Sequence, residues 1–283
     1  MPPDEASFQT TRVLCWQRGA PATRRLDEVA AEEPLEIRVD TRPIVVTMRT
    51  PGHDAELAAG FLVSEGLIHG RDDILKISRG ARNGAGNVME VFLAPGVVID
   101  FAQLTRHVYA SSSCGLCGKA SIDAVHRQFP KIRSAIRVRA DVLLALPGKL
   151  RRGQATFERT GGLHAAAVFD TNGRRIVLRE DVGRHNAVDK VLGHGFLKNT
   201  LPFDQHILVV SGRASFEILQ KALAARIAVV AAVSAPSSLA VDFAKRSGQT
   251  LVGFLRGDRM NIYSHPNRIR FVSSRRSAEH GPA

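Results

Sequence analysis

Cysteine is scarce in this chain: Cys15, Cys114 and Cys117 are the only three among 283 residues. Three thiols cannot build a disulfide framework. This points to a reducing compartment, where a close cysteine pair serves metal or redox chemistry. Aromatic residues make up only 6% of the chain, with a single Trp. The core must therefore rest on Val, Leu, Ile and Ala, which crowd the second half and suit buried strands. Long apolar runs are also missing, and the longest, Ile227 to Val233, is far shorter than the roughly 20 residues that span a bilayer. Met1-Pro2-Pro3-Asp4-Glu5 lacks the basic start and apolar stretch of an export signal. These absences predict a cytoplasmic protein without a membrane partner. No segment interleaves basic residues with aromatics as single-strand binders do, so no nucleic-acid partner is expected.

What is present suits an ordinary α/β protein. Hydrophobic residues make up 44% of the chain, enough for a sizeable core. Lys and Arg number 39 against 27 Asp and Glu, a net charge of +12. Such an excess favours anionic partners, and its even spread along the chain reads as attraction for phosphate groups.

Residues 1–11 and 274–283 read as polar or basic tails without periodicity. From 12 to 110 the pattern predicts a smaller α+β section with strands at Leu35 to Val39, Ile44 to Arg49, Ile74 to Ser78 and Val88 to Leu93. One helix begins near Asp54 and stops at Gly66. Residues 111–130 carry the cysteine pair and a helix marked by Ile122, Val125 and Phe129, halted by Pro130. From 131 to 273 strands and helices alternate. Strands are expected at His164 to Asp170, Arg175 to Arg179, Ile207 to Val210, Ile227 to Val233, Thr250 to Leu255 and near Ile262. Helices are expected at Arg184 to Leu192, Ser215 to Arg226 and Ser238 to Arg246. Helical crossovers between apolar strands imply a layered, largely parallel α/β domain.

Ser111-Ser112-Ser113-Cys114-Gly115-Leu116-Cys117-Gly118 sets two thiols in a Gly/Ser segment ahead of a helix. Amide donors and the dipole at a helix start stabilise a thiolate, the form that attacks sulfur. Two other readings share the spacing. A zinc knuckle needs four ligands, for which His164 and His185 are the available completions, and a thioredoxin-type pair needs a strand leading into it. Cys15, beside Trp16, reads as a small hydrophobe in the core.

Several turns in the second half suit an anionic ligand. Ile207 to Val210 runs into Ser211, Gly212 and Arg213, and a helix opens at once; such a corner offers amide donors and a guanidinium to phosphate. An ordinary capped βα turn has the same sequence signature. Val233 to Ser238 repeats the arrangement one unit later, and two such corners on one sheet edge favour a crevice. Phe254, Leu255, Arg256, Gly257, Asp258 and Arg259 end the next strand with two guanidiniums around a Gly-Asp turn, where the carboxylate can accept from guanine N–H groups. A solvated hairpin turn is the alternative. Glu180 to Lys190 is dense in polar groups, with Asp181 placed to cap a helix and Arg184 and His185 placed near the same strand ends.

Taken together, these segments resemble the formate dehydrogenase accessory sulfurtransferase family. The likeness rests on Thr50 to Leu57 with Gly60-Phe61-Leu62 and Glu65-Gly66, on Cys114 to Gly118 and on Thr160 to His164. It extends through Glu180 to Lys190, Ser211 to Glu217 and Leu251 to Phe254, in that order over about residues 12 to 270. The resemblance implies a protein that takes persulfide sulfur from a cysteine desulfurase and passes it to bis-molybdopterin guanine dinucleotide, the molybdenum cofactor, for formate dehydrogenase. It implies that Cys114 bears the persulfide, that Cys117 is its partner and that Phe254 to Arg259 contact the guanine dinucleotide. It also implies a C-terminal layered domain resembling the cytidine deaminase fold. The zinc signature of deaminases is missing, so no intrinsic metal is expected. A homodimer is expected by analogy with common symmetric assemblies. A cofactor-holding chaperone without sulfur chemistry and a zinc-dependent nucleotide hydrolase are the competing functions.

Overall fold

Alternation of apolar and polar residues along one inner strand, Glu33–Val39, sets the buried face of the N-terminal sheet. In the computed structural model, which describes residues 7–80, 87–99, 125, 126 and 128–271, β1 (Phe8–Cys15) and β2 (Thr23–Ala30) form a separate antiparallel ribbon. Next come β3 (Glu33–Val39), β4 (Arg42–Arg49), β5 (Ile74–Arg79) and β6 (Val88–Leu93), in the order β4-β3-β6-β5. Leu35, Ile37 and Val39 on β3 are fully buried while Glu36 and Arg38 between them pair with each other, as a one-sided sheet requires. Helix α1 (Asp54–Ser64) lays Leu57, Ala58, Ala59, Leu62 and Val63 into the same core. Gly66 follows at φ +67, the left-handed stop that its sequence position predicted.

The second core is larger. After β7 (Val138–Arg139) come α2 (Ala140–Arg151) and α3 (Ala155–Thr160), then β8 (His164–Asp170), β9 (Arg175–Asp181) and α4 (Arg184–Leu197). They are followed by β10 (His206–Val210), α5 (Phe216–Ala224), β11 (Val229–Ala232), α6 (Ser238–Ser247), β12 (Thr250–Arg256), β13 (Arg259–Ser264) and β14 (Ile269–Arg270). Six strands form one sheet in the order β13-β12-β11-β10-β8-β9. Only β10, β11 and β12 run parallel; β8, β9 and β13 join antiparallel. The expectation of a largely parallel sheet is thus corrected to a mixed one. The two antiparallel hairpins flanking the trio have the short connections that permit them, whereas α5 and α6 supply the parallel crossovers.

Two further expectations change. Cys15 is not in the core; it is half-buried at the end of β1, opposite Thr23 on the ribbon. Helix α2 has no counterpart in the sequence reading because Pro147 and Gly148, a breaker pair, lie inside it.

The two cores meet where α1 crosses α4. A Cβ on Gly60 would sit 1.8 Å from the Asp189 carbonyl oxygen, and one on Gly193 would sit 1.8 Å from that of Glu56. Only hydrogen fits at either position, and the yielding atoms would be backbone. Gly60→Ala and Gly193→Ala should each cost about 1–3 kcal/mol by forcing the helices apart, and thermal melting would show lower midpoints; unchanged melting would mean that the helices do not pack this closely.

A polar latch surrounds this crossing and accounts for the density of charge from Glu180 to Lys190. Fully buried Asp181 pairs with Lys190 at 2.7 Å and accepts hydrogen bonds from the amides of Thr50 (3.2 Å) and Gly183 (2.8 Å). Lys190 donates to the Thr50 carbonyl at 2.8 Å, and Asn186 donates to the Met48 carbonyl at 2.8 Å. Asp181 therefore organises the turn before α4 without serving as the cap itself, which is Gly183. On the other side of α4, Asp189 pairs with Lys221 at 2.9 Å and accepts from Ser64 Oγ at 2.8 Å.

Candidate ligand crevice at the strand ends

Parallel strands point their C-terminal ends at one edge, so β10, β11 and β12 deliver three loops side by side. Backbone bonds tie them. Ala214 N–H donates to the Ala235 carbonyl at 3.2 Å, Ser237 N–H to Ala214 at 3.0 Å, and Phe254 N–H to Ser234 at 3.0 Å. Ser211 links the first loop to β8, exchanging bonds with the Ala165 backbone at 2.9 Å through both its amide and its hydroxyl. The predicted corners at 211–215 and 234–238 are thus neighbours, as expected. Ser237 caps α6 by accepting from the Ala240 amide at 3.2 Å, whereas Ser215 caps α5 without a side-chain bond.

That free hydroxyl turns elsewhere. Ser215 Oγ lies 3.2 Å from His185 Nε2, and the Glu217 carboxylate lies 3.8 Å from the same nitrogen. His164, at the start of β8, faces Gly212, where a Cβ would stand 3.2 Å from its Nδ1. The strand-end edge therefore gathers two imidazoles, Ser215, Glu217, Arg184 and Arg213. Arg184 Nε is buried with no hydrogen-bond partner among the described residues.

Both imidazoles are pushed towards the neutral form. Burial, then the positive charges of Arg184 and Lys221, push the His185 pKa down to about 4. Burial and Arg184 lower that of His164 as well, against the pull of Asp181. Burial opposes ionisation of Glu217 most strongly, but the Ser215 hydrogen bond, a backbone amide and the charges of His185 and Arg184 together keep the carboxyl below its usual range. A neutral His185 can accept a proton beside an anion that Arg184 and Arg213 attract. Because the folded pKa lies below the unfolded one, stability at neutral pH is untouched by this group and falls as pH drops from about 6.5 towards 4. NMR titration of the His185 ring should show a midpoint well below 6; a midpoint near 6.5 would contradict the cationic setting.

The third loop is more open. Phe254 holds φ +50, a left-handed conformation that costs a bulky side chain energy and is retained where the surroundings over-determine it. Gly257, at φ +56, opens the turn between β12 and β13. Arg256, Gly257, Asp258 and Arg259 are exposed, with the Arg256 guanidinium 5.6 Å from the Phe254 ring centroid. Leu255 is fully buried in the core, backbone included, so the expected ligand contact at this position is corrected: Leu255 supports the turn from beneath.

Cys114 and Cys117 lie outside the described residues. After them, the His126 ring stacks on Phe243 at 5.2 Å, and Phe243 packs edge-on against Phe216, the residue following Ser215. His164, Ser215 and Glu217 belong to the cluster, although the sequence offered His164 only as a zinc ligand, Ser215 only as a helix cap and Glu217 no role. Their signal was present in the Gly162-Leu163-His164 and Ser215-Phe216-Glu217 segments, but only the sheet order makes them neighbours.

Residues 30–270 match the FdhD/NarQ family. This chain belongs to that family. It is 53% identical over 255 residues to the sulfur carrier protein FdhD of Mycobacterium bovis, covering 87% of this chain and 92% of the relative. It is 52% identical over 266 residues to the protein of the same name from Streptomyces avermitilis, covering 91% and 94%. Among solved structures, that of a formate dehydrogenase accessory protein from Desulfotalea psychrophila superimposes with a TM-score of 0.74 at 25% identity, over 93% of this chain and 99% of the other. The mixed α/β architecture is thus shared with that relative. No helix among the described residues is long and apolar enough to cross a membrane.

Proposed function

We propose that this FdhD/NarQ-family protein is a sulfur carrier that moves persulfide sulfur from a cysteine desulfurase to bis-molybdopterin guanine dinucleotide before the cofactor enters formate dehydrogenase. The observation that carries the reading is the Cys114-Gly115-Leu116-Cys117 pair in a chain about half identical to proteins named as sulfur carriers. Cys114 thiolate attacks the outer sulfur of the donor persulfide. The donor S–S bond breaks, the donor cysteine leaves as thiolate, and Cys114 holds the new persulfide. Attack of the Cys117 thiolate on the Cys114 inner sulfur then expels hydrosulfide, the form taken up by the molybdenum centre. This leaves a Cys114–Cys117 disulfide, which a cellular thiol reduces.

The strand-end crevice is the proposed seat of the cofactor. Ser211, Gly212 and Arg213 face its phosphates, Phe254 and Arg256 to Arg259 its guanine end, with Asp258 accepting from guanine N–H groups. His185, in its neutral form, stands ready to accept a proton. The same proposal takes the protein as a cytoplasmic sulfurtransferase that works as a homodimer with one crevice per copy. After incubation with a cysteine desulfurase and L-cysteine, mass spectrometry should find one extra sulfur atom on the peptide bearing Cys114 and none on that bearing Cys15. An unmodified Cys114 would overturn the reading in favour of a cofactor-holding chaperone.

A further inference from the structure

The ribbon of β1 and β2 has more apolar exposure than the fold explains. Its contacts with the body gather at its base. Arg159 bonds Glu28 and stacks 3.7 Å from the centre of the Phe8 ring, and Ser7 Oγ meets Thr156 Oγ1 at 3.1 Å. Farther out, Leu14, Trp16 and Leu26 are 67%, 70% and 65% exposed. Register places Leu14 opposite Arg24 and Leu26 opposite Arg12, so both leucines lie on one face, framed by guanidiniums. A two-stranded ribbon is marginal in water by itself, and grouped apolar side chains at such exposure mark an interaction surface.

Charge identifies what covers it. From Phe8 to Leu26 there are four arginines, Arg12, Arg18, Arg24 and Arg25, and no acidic residue. A second copy of this chain, at net charge +12, is repelled by such a face. We propose that the ribbon is the docking surface for the persulfide-donating protein, which meets it with an acidic patch around an apolar recess.

This inference rests on the sulfur-carrier reading. On that reading delivery goes to a cofactor held in the crevice, so a protein contact is required on the loading side. The ribbon is well placed for it. Ala30, at the end of β2, has its Cβ 3.1 Å from where a Cβ on Gly162 would lie, and Gly162 precedes His164 of the crevice by two residues. A partner held on the ribbon therefore borders the crevice rim.

The test compares two sulfur donors on the full-length chain. One is a purified cysteine desulfurase with L-cysteine and no added thiol; the other is glutathione persulfide, which needs no docking. Two variants are used, Leu14→Glu with Trp16→Glu, and Arg24→Glu with Arg25→Glu. All four side chains are exposed, and circular dichroism melts should match wild type. Loading of Cys114 by sub-saturating desulfurase should fall at least about tenfold in each variant. Wild-type loading should slow as salt rises, and loading by glutathione persulfide should be unchanged. Undiminished loading by the desulfurase overturns the docking surface alone. So does a wild-type dimer that the variants convert to monomer in sedimentation, because the ribbon is then a self-contact. If neither donor loads the wild-type chain, the sulfur-carrier reading itself falls and takes this inference with it.

Discussion

Cys114→Ala should reduce formate dehydrogenase activity to background in cells that depend on this protein for activation. The reason is stoichiometric as well as kinetic. A carrier must hold the sulfur atom covalently between donor and acceptor, and alanine offers no atom to form the S–S bond. Serine at the same position should fail equally, since an oxygen nucleophile does not accept persulfide sulfur under these conditions. Cys117→Ala should behave differently. Loading of Cys114 should survive, because the first step uses only one thiolate, while release should slow and loaded protein accumulate. Parallel measurement of loading by mass spectrometry and of formate oxidation in extracts separates the two roles. If Cys114→Ala cells retain formate dehydrogenase activity, the protein holds the cofactor without sulfur chemistry.

Asp189→Ala should cost about 3–5 kcal/mol, because it strands a buried ammonium. Lys221 is only 7% exposed, Asp189 only 3%, and their atoms approach to 2.9 Å. Burial disfavours the Lys221 charge, yet Asp189 and Glu65 outweigh it and raise its pKa. With Asp189 removed, Ser64 at 2.9 Å and Glu65 at 3.6 Å are what remain beside it. Denaturant unfolding would read the loss directly. The double variant Asp189→Leu, Lys221→Met should recover much of it, since apolar side chains carry no desolvation cost there. A loss below about 1 kcal/mol in the single variant would mean that water reaches the pair.

The legibility of the fold varies with how local its cause is. Strands such as His164–Asp170 and Val88–Leu93 match the expected bounds, because a buried strand needs only its own apolar run. Ends marked by special residues, such as α1 at Gly66, were equally plain. The ribbon was not legible. Its strands, rich in Arg and Thr and mostly exposed, carry no alternation because they face no core of their own. Helix α2 was hidden by Pro147, which tertiary packing of Leu143, Leu146 and Leu150 tolerates.

By itself the sequence determined the order and type of most elements, the presence of a spaced cysteine pair and the corners that open α5 and α6. These depend on neighbours along the chain, where side-chain spacing and turn chemistry act directly. Only the tertiary structure decided that β8 and β9 join the parallel trio antiparallel, that His164 meets Gly212, and that Asp181, expected as a helix cap, instead joins Asp189 in latching two cores together. Strand pairing and the desolvation of charge arise between segments remote in sequence, so they exist only once the sheet has closed around them.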